Sequence, residues 1–142
     1  MSGNGVSAAQ AGPPAFKDAP LPDQCPPPDA LPPGDTLFIR LVPTDSPTAA
    51  DFLSCHLEGK TPQRRTDPCA WRAVSFFLES TPKEVLSDIA SFRNHANKKF
   101  KAYIRVTDTS GVVKVGPDGN HVSFWMYDTF APETVVEKTE AL

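Results

Sequence analysis

Six side chains scattered along this chain could together handle a polar, ring-bearing ligand: Arg40, Ser75, Glu79, Tyr103, His121 and Trp125. A guanidinium fork suits phosphate or carboxylate, indole and phenol faces suit a flat ring, and a carboxylate or imidazole suits charge stabilisation or proton transfer. They can meet only if the segments that carry them are strands of one sheet sharing a face.

The period-2 patterns needed for such strands are present. In TLFIRLV, Thr36 to Val42, Leu37, Ile39 and Leu41 face one way and Phe38, Arg40 and Val42 the other. In AVSFFLE, Val74, Phe76 and Leu78 oppose Ala73, Ser75, Phe77 and Glu79. From Phe100 to Thr107, Phe100, Ala102, Ile104 and Val106 alternate with Lys101, Tyr103, Arg105 and Thr107. Gly111 to Val115 and His121 to Tyr127 flank GPDGN, whose Pro, Asp and Gly suit the tight turn of a hairpin. A last short strand is expected at Thr134 to Glu137. If the purely apolar faces form the core, the reverse faces gather Arg40, Ser75, Glu79, Tyr103, Arg105, His121, Ser123, Trp125 and Tyr127. The same set is what the solvent side of a sheet carries.

Two short helices are expected between these strands. Ser46 and Pro47 open the first, Ala50, Phe52, Leu53 and Leu57 support it, and Gly59 stops it. Thr81, Pro82 and Glu84 open the second as cap, first helical residue and capping acid; Val85, Leu86, Ile89, Ala90 and Phe92 form its apolar stripe. Lys60 to Arg72 reads as a loop, in which Arg64, Arg65 and Arg72 either bind an anion or answer nearby acids. The basic run Arg93 to Lys101 complements the C-terminal end of the second helix, with His95 exposed there. The expected architecture is an α+β single domain, residues 36–142, with a twisted, mostly antiparallel sheet.

Composition sets the boundary. Nine of the 16 prolines fall in the first 35 residues, where Val6, Phe16, Leu21 and Leu31 are the large apolar residues. Too little surface can be buried there to offset ordering, so residues 1–35 read as a disordered, Pro-rich tail. The tail carries Lys17 against Asp18, Asp23, Asp29 and Asp35, a net of 1 − 4 = −3, which is the formal charge of the whole chain. The remaining domain is formally neutral and has no general electrostatic reason to seek nucleic acid or an anionic membrane. Cys25, Cys55 and Cys69 are odd in number and lack CxxC spacing, so neither a disulfide framework nor a metal site is expected, and reducing cytosol is the default compartment. Cys55 beside His56, and Cys69 as a nucleophile with His121 as base, are weaker constellations.

FIR with Arg40, a basic loop, AVSFF, and a helix introduced by ESTPKEV resemble, in order and chemistry, small ADP-ribosyltransferase-type domains, among them the RES-domain toxins. The resemblance covers about half the folded region. It implies NAD as substrate, Arg40 on its phosphates, and Ser75 at the serine of the second-strand motif. With Arg72 also on the pyrophosphate, Trp125 or Tyr103 on a ring and His121 nearby, the carboxylate of Glu79 or Glu84 would stabilise charge as nicotinamide leaves. The family's acid lies in the helix after this strand, where the chain offers Glu84 or Asp88. The product would be an NAD-cleaving toxin or a transferase to a macromolecular target. The other expectation is a non-enzymatic module, in which PPPDALPP presents a polyproline helix and His121, Trp125 and Tyr127 anchor a protein partner.

Overall fold

The computed structural model describes residues 14–92 and 97–142. The alternating segments become six strands: β1 Thr36–Val42, β2 Val74–Leu78, β3 Phe100–Val106, β4 Gly111–Val115, β5 His121–Met126 and β6 Val136–Ala141. They form one sheet in the order β4, β5, β2, β1, β3, β6, and every neighbouring pair is antiparallel. This is the α+β domain expected. The GPDGN turn closes the β4–β5 hairpin: Asp118 Oδ1 accepts from the amides of Asn120 and His121 at 3.0 and 3.1 Å, and Gly119 takes the left-handed φ of 76°. The final strand starts later than expected, and its register with β3 shifts between Tyr103 and Ile104.

Both faces of the sheet are covered. Phe38, Val42, Val74, Phe76, Ala102, Ile104, Val106, Val122, Phe124 and Met126 form the larger core, closed by Phe52 and Phe130. Phe38, Phe76 and Phe124 meet with ring centroids 5.4–6.2 Å apart, a spacing that adds to area burial. On the reverse face Ile39, Leu41, Phe77 and Tyr103 pack under Leu86 and Ile89. Those two residues belong to the helix Lys83–Ser91. Arg40 therefore lies on the side of the larger core, with Phe38 and Val42, and not on the face shared by Ser75, Tyr103, His121 and Trp125. The sequence pattern placed Leu37, Ile39 and Leu41 innermost because they are uniformly apolar, but the bulk of Phe38 and Phe76 decides the larger core.

The helices also differ from expectation. Between Pro43 and Gly59 only Ala49–Phe52 is helical, as one 3-10 turn, and the chain is extended at Leu53. That turn drives Phe52 into the core, and a three-turn helix would carry Ser54 and His56 away from the partners described below. The loop before β2 contains a one-turn helix, α1, Pro68–Trp71, capped by Asp67 Oδ1 on the Cys69 amide at 2.9 Å. The second expected helix, α2, is Lys83–Ser91. Its start falls one residue late: Pro82 occupies the cap position, and the Thr81 hydroxyl is buried without a hydrogen-bond partner among the described residues. Phe92, placed on the apolar stripe, is 64% exposed. Arg93 and His95 lie outside the described residues.

The Pro-rich segment diverges furthest from expectation. Residues 14–35, read as part of a disordered tail, run along the domain. Phe16 pairs with Tyr127 as a β-bridge and by ring contact at 5.1 Å, and Leu31 pairs with Val113. Lys17 donates to Met126 O, and Asp128 donates to Ala15 O. Between these anchors Cys25 is joined to Cys69 by a disulfide spanning 44 residues, with Cys55 free, so the expectation of unpaired cysteines is corrected. Phe16 and Leu31 are among the few large apolar residues of the segment, and each finds a strand to sit beside.

Gly111 opens β4 at φ 152°, and a Cβ there would collide with the carbonyl oxygen of Trp125. The Gly111→Ala variant should lose more than about 2 kcal/mol of stability. Its urea midpoint should fall accordingly, and an unchanged midpoint would contradict this strand pairing.

Candidate functional site

The most built polar cluster gathers around Asp18, which is 5% exposed. A carboxyl group taken out of water needs partners, and these come from the turns that replace the expected first helix. Ser54 donates its hydroxyl to Asp18 Oδ2 and accepts the Leu57 amide at 3.1 Å. His56 Nδ1 lies 3.1 Å from the same carboxyl oxygen. Successive backbone bonds, Glu58 N to Ser54 O, Gly59 N to His56 O and Lys60 N to Cys55 O, coil the chain so that both side chains reach one point. From the other side Arg72 Nη1 donates to the carbonyls of Asp18 and Pro20 at 3.0 and 2.8 Å, holding the segment in place.

With Nδ1 donating to Asp18, a neutral His56 ring carries its lone pair on Nε2. His56 lines a cleft of about 390 Å³ whose walls include Lys60, Pro62, Thr66, Trp71 and Arg72. The cleft thus has an oriented imidazole, two cationic side chains and an indole beside two prolines. An acid orienting a histidine is the geometry of general acid–base work, and the cations suit an anionic ligand.

A second pairing lies on the sheet itself. The β2–β5 register sets Ser75 opposite Ser123 and Phe77 opposite His121, and His121 Nε2 lies 3.0 Å from Ser75 Oγ. The imidazole meets the Phe77 ring edge-on at 5.6 Å. Burial pushes the His121 pKa below its ordinary value, against the smaller opposing pull of Asp118. Arg40 joins this group from the opposite face. β1 and β2 pair only through Phe38–Leu78 and Ile39–Phe77, then separate. The Arg40 guanidinium bridges the opening, donating from Nε to Asp51 O at 2.9 Å and from Nη1 to Ser75 O at 2.8 Å. Desolvation lowers its pKa, as it does that of Lys98, which also feels the charge of Arg40.

The other expected site residues are dispersed. Tyr103, Ile39, Phe77 and His121 stand in one row across four strands, so Tyr103 and His121 are about 14 Å apart at three strand spacings. The Tyr103 hydroxyl donates to Glu140 and holds that carboxyl below its usual range, while Lys138 Nζ sits 4.5 Å from the ring centroid. Trp125 is 3% exposed, with its indole N–H on Cys69 O at 3.0 Å. Arg72 stands before β2 and Glu79 after it, about 20 Å apart along an extended strand. Glu79 and Glu84 are both exposed, Glu84 in the first turn of α2.

Ser75 and His121, expected on one face, do share it, while Arg40, expected there too, reaches the Ser75 carbonyl from the other side. Arg72 lines the cleft, and Asp18, Ser54, Lys60 and Trp71 were not among the expected site residues, with His56 weighed only beside Cys55. One signal was present. Asp18 follows Phe16 and precedes Leu21 in an otherwise small-residue segment, and Cys25 has a partner once Cys55 is left free. Compared with known proteins, the chain matches no family model, no curated protein and no solved structure. Among the described residues no helix is long and apolar enough to cross a membrane.

The lowered His121 pKa has a stability consequence. The folded chain binds this proton more weakly than the unfolded chain, so the contribution is fully present above the unfolded value of about 6.5 and is lost as pH falls through it toward the folded value. Between about pH 7.5 and about pH 5 the urea midpoint of the wild type should fall more steeply than that of His121→Gln. Equal slopes would show that the ring is not desolvated.

Proposed function

We propose that the chain binds a phosphorylated, ring-bearing ligand of the NAD class in the His56 cleft and breaks its glycosidic bond. His56 serves as base for the attacking group. The observation that supports this most is the Asp18–His56 pair facing a cleft that also holds Lys60, Arg72 and Trp71. Its volume falls in the range of about 300–1,000 Å³ common to small-molecule sites. Lys60 and Arg72 would take the phosphates and Trp71 a ring. In the bond-breaking step water, or a hydroxyl of a macromolecular acceptor, attacks the ribose carbon. Its proton passes to His56 Nε2, and nicotinamide leaves with the bonding electrons. The cations compensate charge on the phosphates, not at the reacting carbon. This reading keeps the NAD chemistry that the sequence resemblance implies. It moves the phosphate contact from Arg40, which does not line this cleft, to Arg72 and Lys60, which do.

The Cys25–Cys69 disulfide bears on location. Structural disulfides belong to oxidising compartments, and the cytosolic default rested on the three cysteines being unpaired. The protein-partner reading keeps one observation of its own: Leu31 and Val115, 65% and 45% exposed, border a shallow groove with Pro32 and Pro33. A partner docking there would be lost in Leu31→Asp, which should leave nucleotide binding unchanged.

The test is calorimetric binding of ADP-ribose together with nicotinamide release from NAD. His56→Ala should bind ADP-ribose but release nicotinamide about 100-fold more slowly. Lys60→Gln should weaken binding about tenfold, the scale of one charge-assisted hydrogen bond. Neither binding nor release by the wild-type chain would overturn the assignment.

A further inference from the structure

We propose that Ser75 and His121 form a second reactive centre on the sheet, with Ser75 Oγ as nucleophile toward small activated acyl esters and His121 Nε2 as its base. The proposal shares no residue with the His56 cleft and stands or falls separately from it.

Several observations combine. The hydroxyl and the imidazole nitrogen are already within 3.0 Å, the contact a serine nucleophile and its base must make. Both groups sit on paired strands in the interior of the sheet order, and their backbone positions are fixed by the β2–β5 register. The ring packs edge-to-face with Phe77, and the His121 backbone amide donates to the Asp118 carboxylate.

Exposure is selective. Along β2 the flanking residues of this face, Ala73 and Phe77, are 8% and 7% exposed, whereas Ser75 is open to solvent. Phe77 is covered by α2, and Trp125, two residues beyond the position opposite Ser75, is bonded to α1. Ser75 is thus the exposed position on this face of β2 between two covered ones. Finally, the Arg40 guanidinium donates to the carbonyl of Ser75 from the opposite side of the sheet and so fixes the backbone that carries the hydroxyl. The lowered His121 pKa keeps the ring neutral, able to accept a proton near pH 7.

The step balances without a cofactor. Ser75 Oγ attacks the ester carbonyl carbon as its proton passes to His121 Nε2, and the tetrahedral adduct so formed collapses, re-forming the carbonyl as the bond to the leaving alkoxide or phenolate breaks. The imidazolium returns the proton to the leaving group, or to solvent when that group is a stable anion. Water then attacks the acyl-serine with the same base, releasing the acid and restoring the hydroxyl.

The probe is p-nitrophenyl acetate, read by p-nitrophenolate release and by mass spectrometry of the modified chain. The expected result is one acetyl group per chain, mapped to Ser75. It should be absent in Ser75→Ala and form about 100-fold more slowly in His121→Ala. Ser75 is solvent-exposed, so Ser75→Ala should fold, and circular dichroism checks this for both variants. Acetyl groups found only on lysines or on His56 would overturn the proposal. So would acetylation of Ser75 at the wild-type rate in a folded His121→Ala.

Discussion

A carboxyl group held out of water sets the terms on which this molecule is assembled. Asp18 is 5% exposed and must be supplied with hydrogen bonds by groups that would not otherwise meet. Ser54 and His56 come from a stretch that gives up a regular helix to reach it. Arg72 comes from the end of α1 and clamps the backbone on which the acid is carried. Removing any one of these leaves a buried polar group short of a partner, which costs about 1–3 kcal/mol each. The same contacts orient His56 and form one wall of the cleft, so packing and candidate chemistry depend on the same atoms.

The sheet provides what such a cluster cannot, a rigid frame. Its larger core is aromatic and continuous from β3 to β5, and the reverse face is packed under α2 at one patch and hydrogen-bonded to α1 through the Trp125 indole at another. Between those patches the strands leave Ser75 uncovered. The separation of β1 from β2 beyond Ile39 and Phe77 leaves carbonyls without strand partners, and the Arg40 guanidinium takes up one of them. Arginine can do this without a carboxylate because its planar fork distributes donors over several acceptors. The His56 cleft is built by turns and a disulfide, the Ser75 pair by strand register. The two sites therefore respond differently to perturbation.

Much of the frame was legible in the sequence. Period-2 alternation located five strands within a residue or two, and Pro-Asp-Gly located the hairpin turn, because these signals are local. β6 was shortened in the reading because VVEKTEA mixes charge with apolar residues at an edge, where both are tolerated. The face assignment of Arg40 failed where volume overrode pattern. The tail failed for a different reason: composition measures what a segment can bury by itself, and residues 14–35 are held by Phe16, Leu31, Asp18 and Cys25 against partners 36 to 111 residues away. Long-range pairing of that kind leaves little trace in a local window. Ser75 and His121 were expected only as two of nine side chains on one face, because alternation within a strand is local while the pairing of β2 with β5 is not. Asp18 and His56 depend on a route the chain takes only after the sheet exists.

The central claim is that the Pro-rich segment is part of the fold and delivers Asp18 to His56. Hydrogen exchange at the amides of Lys17 and Leu31, which donate to Met126 O and Val113 O, tests it most directly in the oxidised protein. The account requires both amides to exchange far more slowly than in an unstructured chain. Exchange at the free-chain rate would detach the segment from the domain, and with it the acid that orients His56.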